Sequence, residues 1–145
     1  MADDTASQTI EVNGSVDDCI AVVLDFESYV DWEKVTRKSE VLERDDEGRG
    51  VLVSMIHWTP VRLVPFVLRY DYSKLPDAIT FDLDHGDVDA FWGSFEFDRQ
   101  SDATVVTYTM GIHPGFPIPN VVRRQIQKRH ARGVATHIKQ TVEAS

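Results

Sequence analysis

Three consecutive stretches decide the fold: ATVVTYTMGIH (residues 103–113), PGFPIP (114–119) and NVVRRQIQKRHARGVATHIKQTVE (120–143). In the first, Val106, Tyr108, Met110 and Ile112 recur with period two, which predicts a strand with one apolar face. The proline loop ends that strand, and Asn120 is placed to cap a helix. From Val121 to about Glu143 there is no proline, while Val122, Ile126, His130, Val134, Ile138 and Val142 step by four along one stripe. Such a helix is roughly 33 Å long at 1.5 Å per residue.

Working back from there, the period stays at two. Val88 to Arg99, with Phe95 and Phe97 on one face, forms a hairpin with the last strand through Gln100-Ser101-Asp102. Ile79 to Leu83 alternates with Thr80 and Asp82 and closes at His85-Gly86-Asp87. Arg62 to Tyr72 places Val64, Phe66, Leu68 and Tyr70 on one side; Pro65 falls on the other side and argues for an edge or a bulge. Gly50 to Trp58 is broken by Thr59-Pro60, and Val35 to Arg44 ends in Asp45-Asp46-Glu47-Gly48. Ahead of these strands, Asp25 to Trp32 reads as a short helix or turn with Phe26, Tyr29, Val30 and Trp32 on one side. Ser15 and Asp18 form a capping box for a helix carrying Val16, Ile20, Val23 and Leu24, and Gln8 to Asn13 is a first strand. The expected fold is α+β, with a curved antiparallel sheet of about six to seven strands wrapped around the C-terminal helix and two short helices after strand 1. Only that helix is long enough to cover the sheet, and a curved sheet against a straight helix leaves space for a cavity.

The 145 residues are expected to form one domain spanning 1–145. With 42% hydrophobic and 27% charged residues, the composition is that of a globular chain. Cys19 is the only cysteine, so no internal disulfide forms and a reducing compartment is expected. Met1-Ala2-Asp3-Asp4 carries acid where a signal peptide carries base, and no apolar run approaches a membrane span, so a cytoplasmic location without a transmembrane segment is expected. The net charge of −9 is uneven: residues 101–145 hold 6 basic and 2 acidic side chains. An acidic body excludes a general nucleic-acid binder. The basic stretch Arg123, Arg124, Lys128, Arg129 and Arg132 is either a solvated face or a contact for an anionic surface, protein or RNA.

The order of elements resembles the START-related (SRPBCC) superfamily, in particular its polyketide cyclase/dehydrase and coenzyme-Q-binding-protein branch. Asp25-Phe26-Glu27-Ser28-Tyr29-Val30-Asp31-Trp32 is similar to the segment after the first helix in that branch. Gly86-Asp87-Val88, Gly93-Ser94-Phe95-Glu96-Phe97, Thr104 to Tyr108 and His113-Pro114 through Pro119 are similar to its later strands and proline loop. The resemblance covers nearly the whole chain and implies a helix-grip fold with a hydrophobic cavity. It does not imply a reaction, since the superfamily holds carriers and enzymes alike.

The expected function is binding or transport of a hydrophobic small molecule such as a lipid, isoprenoid quinone or polyketide. Phe66, Tyr70, Phe81, Phe95, Tyr108, Met110, Ile126 and His130 are the expected lining residues, with an entrance near Phe116 to Pro119 and Trp58-Thr59-Pro60. The alternatives are a polyketide aromatase/cyclase or dehydratase using His130, Tyr108 or Tyr70 for proton transfer, and an interaction module acting through the basic helix. His57 and Arg69 are further polar candidates, but no pair of inward carboxylates and no single base is apparent. No metal and no cofactor is expected: His130 and His137 sit about 10 Å apart along the helix, and Asp84, His85, Asp87 and Asp89 lack ligand spacing.

Overall fold

The computed structural model describes residues 5–144; the acidic start at Met1 to Asp4 lies outside the described residues. Strand β1 (Thr5–Val12) leads into α1 (Val16–Leu24), whose first turn is capped by Ser15 Oγ accepting from the Asp18 N–H at 3.1 Å. A 3-10 turn at Phe26–Ser28 and a single helical turn α2 (Tyr29–Trp32) come next. Six strands then run in hairpin succession: β2 (Thr36–Arg44), β3 (Gly50–Trp58), β4 (Leu63–Asp71), β5 (Ala78–Gly86), β6 (Ala90–Gln100) and β7 (Ala103–His113). The sheet order is β1-β7-β6-β5-β4-β3-β2, with every pair antiparallel. Helix α3 (Asn120–Ala144) completes the helix-grip arrangement.

Side-chain alternation places the expected rows on the concave face. Val64, Phe66, Leu68 and Tyr70 from β4, Phe95 and Phe97 from β6, and Val106, Tyr108 and Met110 from β7 are all buried. Two local expectations change. β4 is an interior strand, so Pro65 is not at an edge. It is tolerated because β5 ends opposite Phe66, and a register irregularity lies at Val67/Leu68. β5 also runs on through His85 to Gly86, past the expected turn. At Gly86 the backbone has φ +151° and approaches so closely that a Cβ would lie 2.5 Å from Phe66 Cα, a position open only to glycine.

The helical stripe departs from the expected one in an instructive way. Val134, Ile138 and Val142 are buried, but in the first half the buried positions are Arg123, Gln127 and Ala131, not Val122, Ile126 and His130. A step of four overshoots the 3.6-residue turn by about 40° each time, so a stripe of residues spaced this way winds away from the sheet. Asn120, expected as the cap, belongs to the helix itself, which starts one residue earlier than expected. The helix packs on β1, β7 and α1. Gln127 Oε1 pins its first half by accepting from the Ile112 N–H at 3.1 Å. Val122, Ile126 and His130 therefore look sideways, toward the half of the concave face that the helix does not cover.

Candidate functional site

That uncovered half holds a groove of about 870 Å³. One bank is the α2–β2 segment from Trp32 to Val35, the second is the β3–β4 turn with Trp58 and Pro60, and the third is α3 from Val122 to Gln140. Its walls are mainly apolar and aromatic, and the volume is that of a small-molecule site. Trp58 (46% exposed) and Val122 (38% exposed) stand at its open side. The Trp32 indole stacks on the His137 imidazole at 3.9 Å between ring centres, which stiffens the wall farther along α3.

A polar chain closes the inner end. Thr36 Oγ1 donates to Glu33 Oε2 at 2.9 Å. Its one hydroxyl proton is then committed, so it accepts from His57 Nε2 at 3.2 Å, which places that imidazole's proton on Nε2. On the other side, His130 Nδ1 lies 3.8 Å from Glu33 Oε2 and is buried with no hydrogen-bond partner among the described residues. The facing carboxylate favours a proton on Nδ1, so Nε2 accepts from the Tyr108 hydroxyl at 2.9 Å. The chain reads Tyr108, His130, Glu33, Thr36, His57, and both Glu33 and His130 border the groove.

Glu33, His57 and Tyr108 are shifted by their surroundings. Burial alone would raise the Glu33 carboxyl, but the contact with His130 and its charge, then His57 and the Thr36 hydroxyl, outweigh burial and hold it at about 2. His57 is pushed down to about 4, first by burial and then by the charge of His130, against the pull of Glu33. The Tyr108 phenol is driven well above its ordinary range by burial, then by Tyr70 and Glu33. At neutral pH the inner end thus holds a carboxylate, a neutral His57 and a phenol that keeps its proton.

These shifts set a direction for stability. The His57 imidazole takes a proton more readily in the unfolded chain, at 6.5, than in the fold, so its contribution is complete above pH 6.5 and lost as the pH falls toward 4. Glu33 acts the same way lower down, between 4.5 and about 2. Moving from pH 7 to 4 is expected to cost about 3 kcal/mol through His57, read by urea unfolding at both pH values. His57→Gln should flatten that part of the curve; an equally steep loss in the variant would contradict the assignment.

Of the eight expected lining residues, Ile126 and His130 border the groove. Phe66, Tyr70, Phe81, Phe95, Tyr108 and Met110 do not. They are buried, and their rings touch one another in series, Tyr70 to Phe81 at 5.2 Å and Phe95 to Tyr108 at 4.5 Å. The expected entrance also divides. Trp58 and Pro60 border the groove, whereas Phe116 to Ile118 border a separate, shallower hollow of about 670 Å³ with Asp89 and His113. Arg69 points away, paired with Asp84 at 3.0 Å. Arg123 is buried against Gln127, so it is no part of a surface cluster, while Arg124, Lys128, Arg129 and Arg132 are exposed. Among the described residues no group of three or more His, Cys, Asp or Glu is gathered closely enough to hold a metal ion, and no helix is long and apolar enough to cross a membrane.

The profile of the polyketide cyclase/dehydrase and lipid transport family matches residues 12–139. The chain belongs to this family. Among solved structures it is similar to a START superfamily protein from Mycobacterium smegmatis, at 20% identity over 97% of each chain and a TM-score of 0.81. It is also similar to the STAR-related lipid transfer protein from Xanthomonas axonopodis, at 19% identity over 96% of this chain and 85% of that one, TM-score 0.77. The Zhui aromatase/cyclase from Streptomyces sp. R1128 aligns at 16% identity over 96% of this chain and 93% of that one, TM-score 0.76. None of the curated proteins compared with the sequence matches it. At these identities the likeness is one of fold.

Within this polyketide cyclase and lipid transport domain, sequence reasoning missed Glu33, Thr36 and Trp32 as site residues. Glu33 lies just after α2 in a loop where no periodicity assigns a facing, so its inward carboxylate had no signal beyond its place next to the Asp25–Trp32 segment. At His57, next to the end of β3, strand alternation is an equally weak guide to facing.

Proposed function

We propose that the protein binds a hydrophobic small molecule, a lipid, isoprenoid quinone or polyketide, in the groove between α3, the α2–β2 segment and the β3–β4 turn. The observation that carries this reading is the 870 Å³ space itself: a mainly apolar inner surface open at Trp58 and Val122, with the Glu33 and His130 side chains at its inner end. Apolar walls supply affinity without much selectivity, and the few polar groups orient the ligand. The lone buried Cys19 fits a reducing, cytoplasmic setting for this role. Native mass spectrometry of freshly purified protein, with solvent extraction of any bound molecule, tests it. A stoichiometric co-purifying lipid or quinone is expected. A mass equal to the bare chain that stays unchanged on adding cis-parinarate or a quinone would overturn it.

A second reading, a polyketide aromatase/cyclase, is favoured by one observation, the Tyr108–His130–Glu33 chain at the groove's inner end. A methylene between two ketones loses a proton to this base, and the resulting enolate carbon forms a bond to a second ketone of the same chain. The new alkoxide takes a proton, and loss of water completes the condensation. Here Glu33 and His130 hold the proton and Tyr108 positions the imidazole. Turnover of a poly-β-ketone that falls at least about 100-fold in His130→Ala, with the fold intact, is the outcome that would move the assignment from carrier to enzyme.

A further inference from the structure

The rim of the groove is charged in one sense and its inner end in the other. Lys34 on the α2–β2 bank and Arg129 and Arg132 on α3 all border the same space, and all three are exposed. Arg129 and Arg132 are three residues apart and so share a helix face. No carboxylate lies within ion-pair distance of any of the three among the described residues. In a chain of net charge −9, three cations without a counter-ion around an apolar mouth form a local reversal of the field. At the other end stands the Glu33 carboxylate, 9% exposed, with the Tyr108 phenol behind His130.

We infer that the groove selects a single-chain anionic amphiphile, a long-chain carboxylate, bound with its head at Lys34, Arg129 and Arg132 and its chain directed inward. The inference rests on the reading of the groove as a ligand site and adds the charge and orientation of the ligand. Polarity enforces both. An anionic head at the inner end would meet Glu33 at close range in a poorly solvated place. At the rim the same head receives charge-assisted hydrogen bonds from two guanidinium groups and an ammonium while staying in contact with water. The chain then lies against Trp32, Trp58, Val122 and Ile126. A neutral quinone or sterol gains nothing from the rim.

Fluorescence titration with cis-parinaric acid and with its methyl ester, both below their aggregation limits, separates the possibilities. The acid should bind at least about tenfold more tightly than the ester at low salt, and the difference should shrink in 0.5 M salt. In the doubly substituted Arg129→Gln/Arg132→Gln protein the acid should fall to the affinity of the ester. Lys139→Gln, a charge removed farther along the same helix and outside the groove, should leave the preference in place. Equal binding of acid and ester, or a preference that survives in the double variant, overturns the inference while the groove remains a ligand site. Failure of both probes to bind overturns the groove reading itself. Sedimentation with phosphatidylglycerol vesicles, without binding of the monomeric acid, would assign the three cations to a membrane surface and also overturn the inference.

Discussion

Gly133→Trp abolishes uptake of a long-chain probe while the protein stays folded; this is the largest functional effect expected from a single substitution. Gly133 borders the groove in the middle of α3, and a Cβ built there meets nothing within 4 Å. The residue is exposed and helical, so the backbone accepts a side chain without strain. An indole at this place projects over the space between Trp32 and His130 and removes the volume the ligand needs. Titration with cis-parinaric acid should show a loss of at least about 100-fold, equivalent to roughly 3 kcal/mol. Gly133→Ala is the companion: it leaves the space open and should raise stability by about 1 kcal/mol, because glycine is the weaker helix former. Unimpaired binding in the tryptophan variant would place the ligand elsewhere.

Phe26→Ala should give the largest loss of stability, about 4 kcal/mol, as expected for emptying a fully buried phenylalanine site. Phe26 is 1% exposed, with its ring 4.6 Å from that of Tyr70 and 5.6 Å from that of Tyr29. The β3 backbone comes so near that a Cβ at Gly50 would lie 2.9 Å from the Phe26 ring. Relaxation into the hole is therefore limited by Gly50 on one side and Tyr70 on the other. In a protein of this length the loss corresponds to a fall in Tm of about 8–16 °C, measurable by scanning calorimetry. A fall under 3 °C would mean that the 3-10 turn is not seated as described.

Residue order alone made legible the part of the fold governed by strict periods. The alternation through Val64, Phe66, Leu68 and Tyr70 assigns a face without knowledge of any neighbour, because a strand has only two. The stretch from Val106 to Met110 is equally unambiguous, and both rows are buried. The helical stripe was legible only in its second half. Steps of four drift around a helix, and the position at which Val122, Ile126 and His130 leave the interface depends on where α3 is tethered, by Gln127 to the Ile112 backbone. That contact spans 15 residues of sequence and carries no local mark. The groove arises from the same displacement, and it is bordered by Ile126 and His130 but not by the inner rings, which touch one another. Glu33 was invisible for a further reason. Loop residues take their facing from the elements on either side, and its inward turn is set by Thr36 and His130, one of them nearly a hundred residues away. The interior Pro65 is likewise explained only by where its neighbour β5 stops.

The functional reading depends most on where the ligand lies, and amide chemical-shift mapping addresses that position directly. A titration of uniformly 15N-labelled protein with laurate should perturb amides in residues 32–36, 57–61 and 122–137, with His130 and Gly133 among the most affected, and should saturate at one equivalent. Perturbations centred on residues 113–118 at the proline loop, or scattered over the surface without saturation, would contradict the assignment of this groove as the binding site.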